Sequence, residues 1–540
     1  MKHHISIKKR LLPMGMAAIA GAFLLGSCTK NFETYNTDTA NLSSEDLAQD
    51  HRLIGEPLKQ VQQSIYFVQP AWNTQLQQNL IGDLYSGYMT TPTPFAGNVN
   101  NQTYALVDGW NTFPWDDGYN SVMAPVKQVL QNASKDPDFY AWAKILRVEA
   151  MHRVSDIYGP IIYTHYGQIN NDQSISYDSQ KDAYYAFFRD LDSAIDVLTP
   201  TAVKEGLAAP FLTPFTNFDL AYGGSYRNWV KFANTLRLRL AIRISMIDAT
   251  MAKTEGEKSL ANAVGLMTSP SDNLNISTGT NQHPLAVITG WGDIKGGAVL
   301  SSFLNGYNDP RAAKYLAPAT DPAVAGKFQG IRGGINIDAK ARYSGYSSLT
   351  AFPNQIQLMT AAEAWFLKAE AAVLGWAGAG TAKDNYNQGI LTSFSQYGLD
   401  GSAYINDAAS LPAQYIDPNA ISAGQNDVKS GNANLSTITI KWDDAASNAV
   451  KLERIITQKW IAMYPDGQEA WSEFRRTGYP KLFPVVVNNS AGAISTSMFI
   501  RRVNFAQSER STNPIGVQGA ITLLGGPDTG GTPLWWDTRR

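Results

Sequence analysis

The stretch 141–167, AWAKILRVEAMHRVSDIYGPIIYTHYG, constrains the fold more than any other part of the chain. Ala143, Leu146, Ala150, Val154 and Ile157 recur at steps of three and four, the spacing of one face of an α-helix. Small and large side chains mix on that face, so a second helix can approach closely. Tyr158-Gly159-Pro160 then ends the helix, because glycine accepts a left-handed cap and proline cannot continue the ladder. Such a helix is one half of a helix pair of the tetratricopeptide kind. The expected fold is therefore mainly α, with helix pairs stacked side by side and long loops carrying function.

The same signal recurs along the chain. Residues 58–84 read as one helix, with Val61, Ile65, Val68 and Leu76 apolar, and 115–133 as another. Tyr184, Phe187, Phe188, Leu191, Ile195 and Leu198 form a stripe that Pro200 is expected to end. Trp229, Phe232, Leu236, Leu240 and Ile244 form the next, with Arg237, Arg239 and Arg243 around it as a solvated face or as salt-bridge partners. Helices are expected again over 358–374, 386–397 and 452–463, then through Glu469, Trp471 and Phe474. A Gly- and Pro-punctuated tail is expected to wrap the surface. Capping residues Ser43, Ser44, Glu45 and Asp46 place an earlier helix start near Leu47. Two regions, about 269–353 and 400–450, lose helical periodicity and read as irregular insertions into a body spanning 46–540.

The amino end reads as a sorting device. Lys2, Lys8, Lys9 and Arg10 precede an apolar run, 11–25, that is short for a bilayer span and suits a signal peptide over 1–27. Leu25-Gly26-Ser27-Cys28 resembles a lipobox, which implies cleavage before Cys28, acylation there, and a tether over 28–45. Acyl chains contribute about 0.8 kcal/mol per buried CH₂, so more than one anchors stably. Cys28 is the sole cysteine of the 540 residues, which excludes internal disulfides and thiolate metal clusters. Without residues 1–27 there remain 40 basic and 46 acidic side chains, a mildly acidic balance that argues against nucleic acid as the partner.

Signatures of catalysis are lacking. His3, His4, His51, His152, His165 and His283 form no HExxH, and there is no Walker loop, strand-borne GxGxxG or GxSxG elbow. His152 reads as a packing histidine. Glu363 and Glu370, seven apart, share a helix face and have the spacing a glycosidase pair needs, but a salt-bridged or solvated face is the commoner use. Asp116-Asp117 and Asp443-Asp444 lack the alternating spacing of a calcium loop and read as structural, so no cofactor is expected beyond a structural Ca²⁺ that nothing in the spacing supports.

A binding role has a plainer signature. Sugars are gripped by an aromatic ring below and amides or carboxylates at the rim. The loop 85–111 offers Tyr88, Phe95, Asn98, Tyr104 and Trp110, and the 269–353 insertion offers Trp291, Asn308 and Tyr343; these eight are the candidate ligand residues. Trp142, Trp229, Trp365 and Trp460 lie in helices and are expected in the core.

Cys28 with TKNFETYNTD, AKILRVEAMHRVSDIYGPIIYT, AEAWFLKAEAAVLGW, ERIITQKWIAMYPDGQEAWSEFRRTGYPKL, QSERSTNP and TPLWWD resemble, in that order, successive blocks of the SusD/RagB family of outer-membrane lipoproteins. The likeness spans about 28–537. It implies a helical, tetratricopeptide-like fold, lipid-anchored at the outer membrane and displayed at the cell surface. It also implies a lid over a SusC-like, TonB-dependent barrel. Such a lid captures an oligosaccharide, or a peptide in RagB-like relatives, and passes it on without making or breaking a bond. A glycan-active enzyme is the remaining alternative.

Overall fold

The computed structural model describes residues 50–206, 212–350 and 352–539. The expected leader, Cys28, the tether and the helix start near Leu47 lie outside the described residues. From Ile54 onward the chain forms one unit. Its main helices are α1 (Arg52–Ile65), α2 (Ala124–Asn132), α3 (Pro137–Tyr158), α4 (Gln180–Glu205), α5 (Tyr226–Ile244), α6 (Ala249–Ala261), α7 (Pro284–Gly290), α8 (Ala298–Gly306), α9 (Ala361–Val373), α10 (Ala382–Gln396), α11 (Asn448–Met463), α12 (Gly467–Thr477) and α13 (Pro514–Leu524). Four short strands, β1 (Met89–Thr90), β2 (Leu274–Ser277), β3 (Lys295–Gly296) and β4 (Gln355–Met359), pair antiparallel as β1–β3 and β2–β4.

The seam read from 141–167 is α3. Its N-terminal proline suits the first helical position, where the missing N–H costs nothing. Gly159, with φ of 95°, closes it. Consecutive helices pack on one another: α3 on α4, α4 on α5, α5 on α6, and α9 on both α10 and α11. The shared core includes Trp142, Leu146, Phe187, Leu191, Trp229 and Leu236, all fully buried. Each side chain of that size contributes about 1.5–3 kcal/mol on burial, so these seams are the main source of stability.

Several elements depart from the sequence reading. The expected helix over 58–84 breaks after α1, resumes as a short helix over Ala71–Thr74, and continues as a π-helix over Gln75–Asp83. Pro70 lacks the N–H that a continuous helix needs there. Pro200, in contrast, sits inside α4 rather than ending it. Leu358 and Met359, expected to open a helix, instead end β4, and α9 begins at Ala361. Trp365 is half-buried, its indole N–H donating to the Thr268 carbonyl at 3.0 Å, so it is not core; Trp142, Trp229 and Trp460 are. The tail does not only wrap the surface: Arg501, Arg502, Trp536 and Asp537 are buried, and Trp536 Nε1 donates to Asp156 Oδ1 at 2.8 Å.

A second cohesive element is ionic. Arg239 and Arg243 of α5 are fully buried, so they are salt-bridge partners and not a solvated face. Arg239 makes a bidentate pair with Glu363 of α9, at 2.8 Å from Nε and 2.7 Å from Nη2. Arg243 pairs with Glu469 and Glu473 of α12, and Arg476 with Glu370 and Glu473. Arg153 of α3 reaches Asp466, the N-cap of α12, at 3.0 and 2.9 Å. Lys459 stands 3.4–3.6 Å from Glu363, Glu469 and Glu473. Fork-shaped guanidinium groups suit such bidentate pairing, and every charge here faces an opposite one. Gly467 lets α12 come close: a Cβ there would meet the Asp83 Cα at 2.4 Å.

Candidate functional site

Glu363 and Glu370 are consumed by this network and lie under 4% side-chain exposure or at it, so neither reaches solvent as a glycosidase acid would need. His152 is buried with Nδ1 at 3.0 Å from the Val148 carbonyl. Burial first, then the charges of Arg153 and Arg239, push its pKa down and keep the ring neutral. Asp116 accepts from Ser508 Oγ at 2.7 Å, Asp117 from Asn73 Nδ2 at 3.2 Å, and Asp444 from Trp442 Nε1 at 2.8 Å. Among the described residues no three His, Cys, Asp or Glu side chains come together to hold a metal ion.

The candidate ligand residues divide sharply. Tyr88 is fully buried; its hydroxyl donates to the Trp460 carbonyl and its ring lies 4.9 Å from that indole. Tyr343 is fully buried and donates to Asp417 Oδ2 at 2.8 Å. Tyr104 is buried against Tyr85, and burial pushes its pKa up. These three rings pack the interior and offer no face to a ligand. Asn98 is also committed: Nδ2 donates to the Ile337 carbonyl at 3.0 Å, and Oδ1 accepts from Ile337 N at 3.1 Å. It is a clamp between two loops, not a rim group. Asn308 lies exposed at the turn after α8 and makes no hydrogen bond or ring contact with the 95–110 segment.

Phe95, Trp110 and Trp291 remain accessible. Phe95 meets Trp110 edge-to-face at 5.7 Å. The Phe95–Asn98 turn is held in a left-handed run, with φ of 48° at Ala96 and 70° at Asn98. Such a backbone costs roughly 1–2 kcal/mol per non-glycine residue and persists only when its surroundings dictate it. Here Asn100 Nδ2 holds the Phe95 carbonyl at 2.7 Å, and Thr103 Oγ1 holds that of Asn98 at 2.5 Å. Trp291 is the C-cap of α7 and 43% exposed.

The two loops singled out by sequence are tied together. β1 pairs with β3. Thr93 Oγ1 donates to Asp293 Oδ1 at 2.6 Å, and Lys340 Nζ reaches the same oxygen at 2.8 Å and the Trp291 carbonyl at 2.9 Å. A fourth aromatic joins them that sequence reasoning missed. Trp72 is 49% exposed, packs edge-to-face on Phe113 at 5.6 Å, and rides on the short helix Ala71–Thr74, which packs on α7. In a continuous helix Trp72 would fall in register with Val68 and Leu76 and be buried. The break at Pro70 releases it, and that proline was the available signal. The structure thus leaves Trp72, Phe95, Trp110 and Trp291 accessible on linked segments, with Asp293 and Lys340 bonded together beside the Trp291 carbonyl.

Comparison with known proteins places the chain in a family. The family model described as Susd and RagB outer membrane lipoprotein matches residues 34–537. The chain belongs to that SusD-like family. Among solved structures it is similar to a chitin-binding SusD homologue from Flavobacterium johnsoniae, at 44% identity, covering 90% of this chain and 99% of that one, with a TM-score of 0.85. A SusD homologue from Bacteroides vulgatus matches at 38% identity, 92% and 99% coverage and a TM-score of 0.83. A SusD-like protein from Bacteroides thetaiotaomicron matches at 34% identity, 90% and 99% coverage and a TM-score of 0.83. No curated protein matches the sequence. The SusD-like fold expected from the sequence is thus shown, as is the outer-membrane lipoprotein family. Among the described residues no helix is long and apolar enough to cross a membrane.

Proposed function

We propose that this SusD-like protein captures an oligosaccharide on the Trp72–Phe95–Trp110–Trp291 surface and hands it, chemically unchanged, to a SusC-like TonB-dependent barrel. The observation that carries the reading is the exposure of Trp72, on the Ala71–Thr74 helix, and of Trp291, the C-cap of the α7 helix on which that short helix packs. An exposed indole offers a flat apolar face, and a pyranose presents an apolar face that such a ring can cover. Glycans of the chitin type are the first candidates, because a relative sharing 44% identity over nearly its whole length binds chitin. Anchoring through acylated Cys28, on the outer leaflet, places capture ahead of transport.

The test is affinity electrophoresis through gels containing soluble glycans, with a peptide panel alongside. Retardation by a glycan, lost in Trp72→Ala/Trp291→Ala, supports the reading. Retention of peptides alone overturns it in favour of a RagB-like role, and product release from the glycan overturns the non-catalytic part. Co-purification of a barrel partner with the membrane-extracted protein tests delivery; a protein recovered alone under mild extraction contradicts it.

A further inference from the structure

α7 joins two places. Trp291 caps its C-terminal end, and His283 caps the other, accepting from Leu285 N through Nδ1 at 3.1 Å. At 1.5 Å per residue the two caps lie about 12 Å apart. His283 opens onto a separate cleft of about 460 Å³, within the range of sites that hold small molecules. The β2–β4 ribbon and the end of α10 form its walls.

The chemistry of that cleft is specific. Asn275 and Gln355 line it, and neither amide makes a hydrogen bond to the protein among the described residues. The commitment of His283 Nδ1 as an acceptor puts the ring proton on Nε2, where it is a donor. Burial holds that ring neutral, pushing its pKa down to about 3. Phe352 stacks on His283 at 4.5 Å, and Tyr397 stands edge-on to Tyr315 at 5.4 Å; both rings are half-buried. No carboxylate is among the described lining residues, and Lys314 is exposed at the rim. A half-buried amide at Asn275, a solvent-exposed one at Gln355, a neutral donor and two part-open rings match a neutral ligand with one apolar face and a hydroxyl or N-acyl edge.

We infer that this cleft is a second carbohydrate subsite, taking a neutral sugar unit of the glycan that the aromatic surface captures. The inference rests on the proposed function for its ligand class but not for its location. The test is calorimetric stoichiometry of the full-length protein with the chitin disaccharide, together with saturation-transfer NMR. Asn275→Leu/Gln355→Leu removes the cleft amides without breaking a protein hydrogen bond, and thermal melting checks that each variant is folded.

Two sites are expected in the parent. One is weakened about tenfold by the amide changes, a loss of about 1.4 kcal/mol. The other is lost in Trp72→Ala/Trp291→Ala. A single site abolished by the tryptophan changes and untouched by the amide changes overturns the cleft and leaves the proposed function standing. A single site with the reverse pattern upholds the cleft and refutes the aromatic surface. No binding of the disaccharide at millimolar concentration overturns the cleft, while longer glycans then decide the proposed function.

Discussion

Replacing Arg239 with methionine should be among the most damaging single changes outside the apolar seams. Methionine keeps most of the volume, so the loss is electrostatic. Arg239 is fully buried, bidentate to Glu363, and 3.8 and 3.7 Å from Glu149 and Glu469. One buried pair about 4 Å apart is worth about 4 kcal/mol at an effective dielectric constant near 20. Removing one partner of such a pair typically costs about 3–5 kcal/mol, because the remaining carboxylate is left buried and uncompensated. Glu363→Gln should cost less, since Arg239 keeps Glu149 at 3.8 Å and Glu469 at 3.7 Å, and Lys459 keeps Glu469 and Glu473. The double variant should then be more stable than the sum of the two losses allows, by about 2 kcal/mol or more. Urea denaturation followed by tryptophan fluorescence measures this at constant m-value. An Arg239→Met change costing under about 1 kcal/mol, or strictly additive losses, would refute the view that these charges hold α5 to α9 and α12.

Stability should also fall as pH rises from about 4 to about 7. Burial pushes the carboxyl groups of Asp83 and Glu149 up to about 7, so across that window the folded state keeps protons that the unfolded chain has released. Asp83→Asn should flatten the decline in Tm between pH 5 and 7.5; an unchanged slope contradicts the assignment. Asn98→Ala should free the 95–98 turn from Ile337, raising amide exchange there and weakening glycan binding while Tm stays within a few degrees; unaltered exchange would show that the clamp is dispensable. Cys28→Ser should release the protein from the membrane fraction, and mass spectrometry should find the parent protein acylated; a free thiol at that position contradicts anchoring.

The helices were legible where burial follows a simple period. α3 shows its seam because small and large residues alternate at helical steps, and Gly159 with Pro160 marks its end. The ionic interior was not legible, because Arg239, Arg243, Glu363 and Glu469 carry the same letters whether solvated or buried. Only the convergence of α5, α9 and α12 decides between them. Proline punctuation was ambiguous for a similar reason. Pro70 interrupts its helix, while Pro200 is accommodated within α4. At the candidate site the sequence located both loops but not their inward and outward faces. Tyr88 turns inward because Trp460, hundreds of residues away, supplies its acceptor, and Trp72 turns outward because the helix breaks just before it.

Isothermal titration of the purified protein with chitin oligosaccharides, beside the Trp72→Ala/Trp291→Ala variant, tests the account most directly. Saturable binding of unaltered glycan is expected, weakened by the double change at least tenfold, as loss of about 1–2 kcal/mol at each central aromatic contact implies. Equal affinity in parent and variant, or heat from progressive cleavage of the glycan, would contradict it.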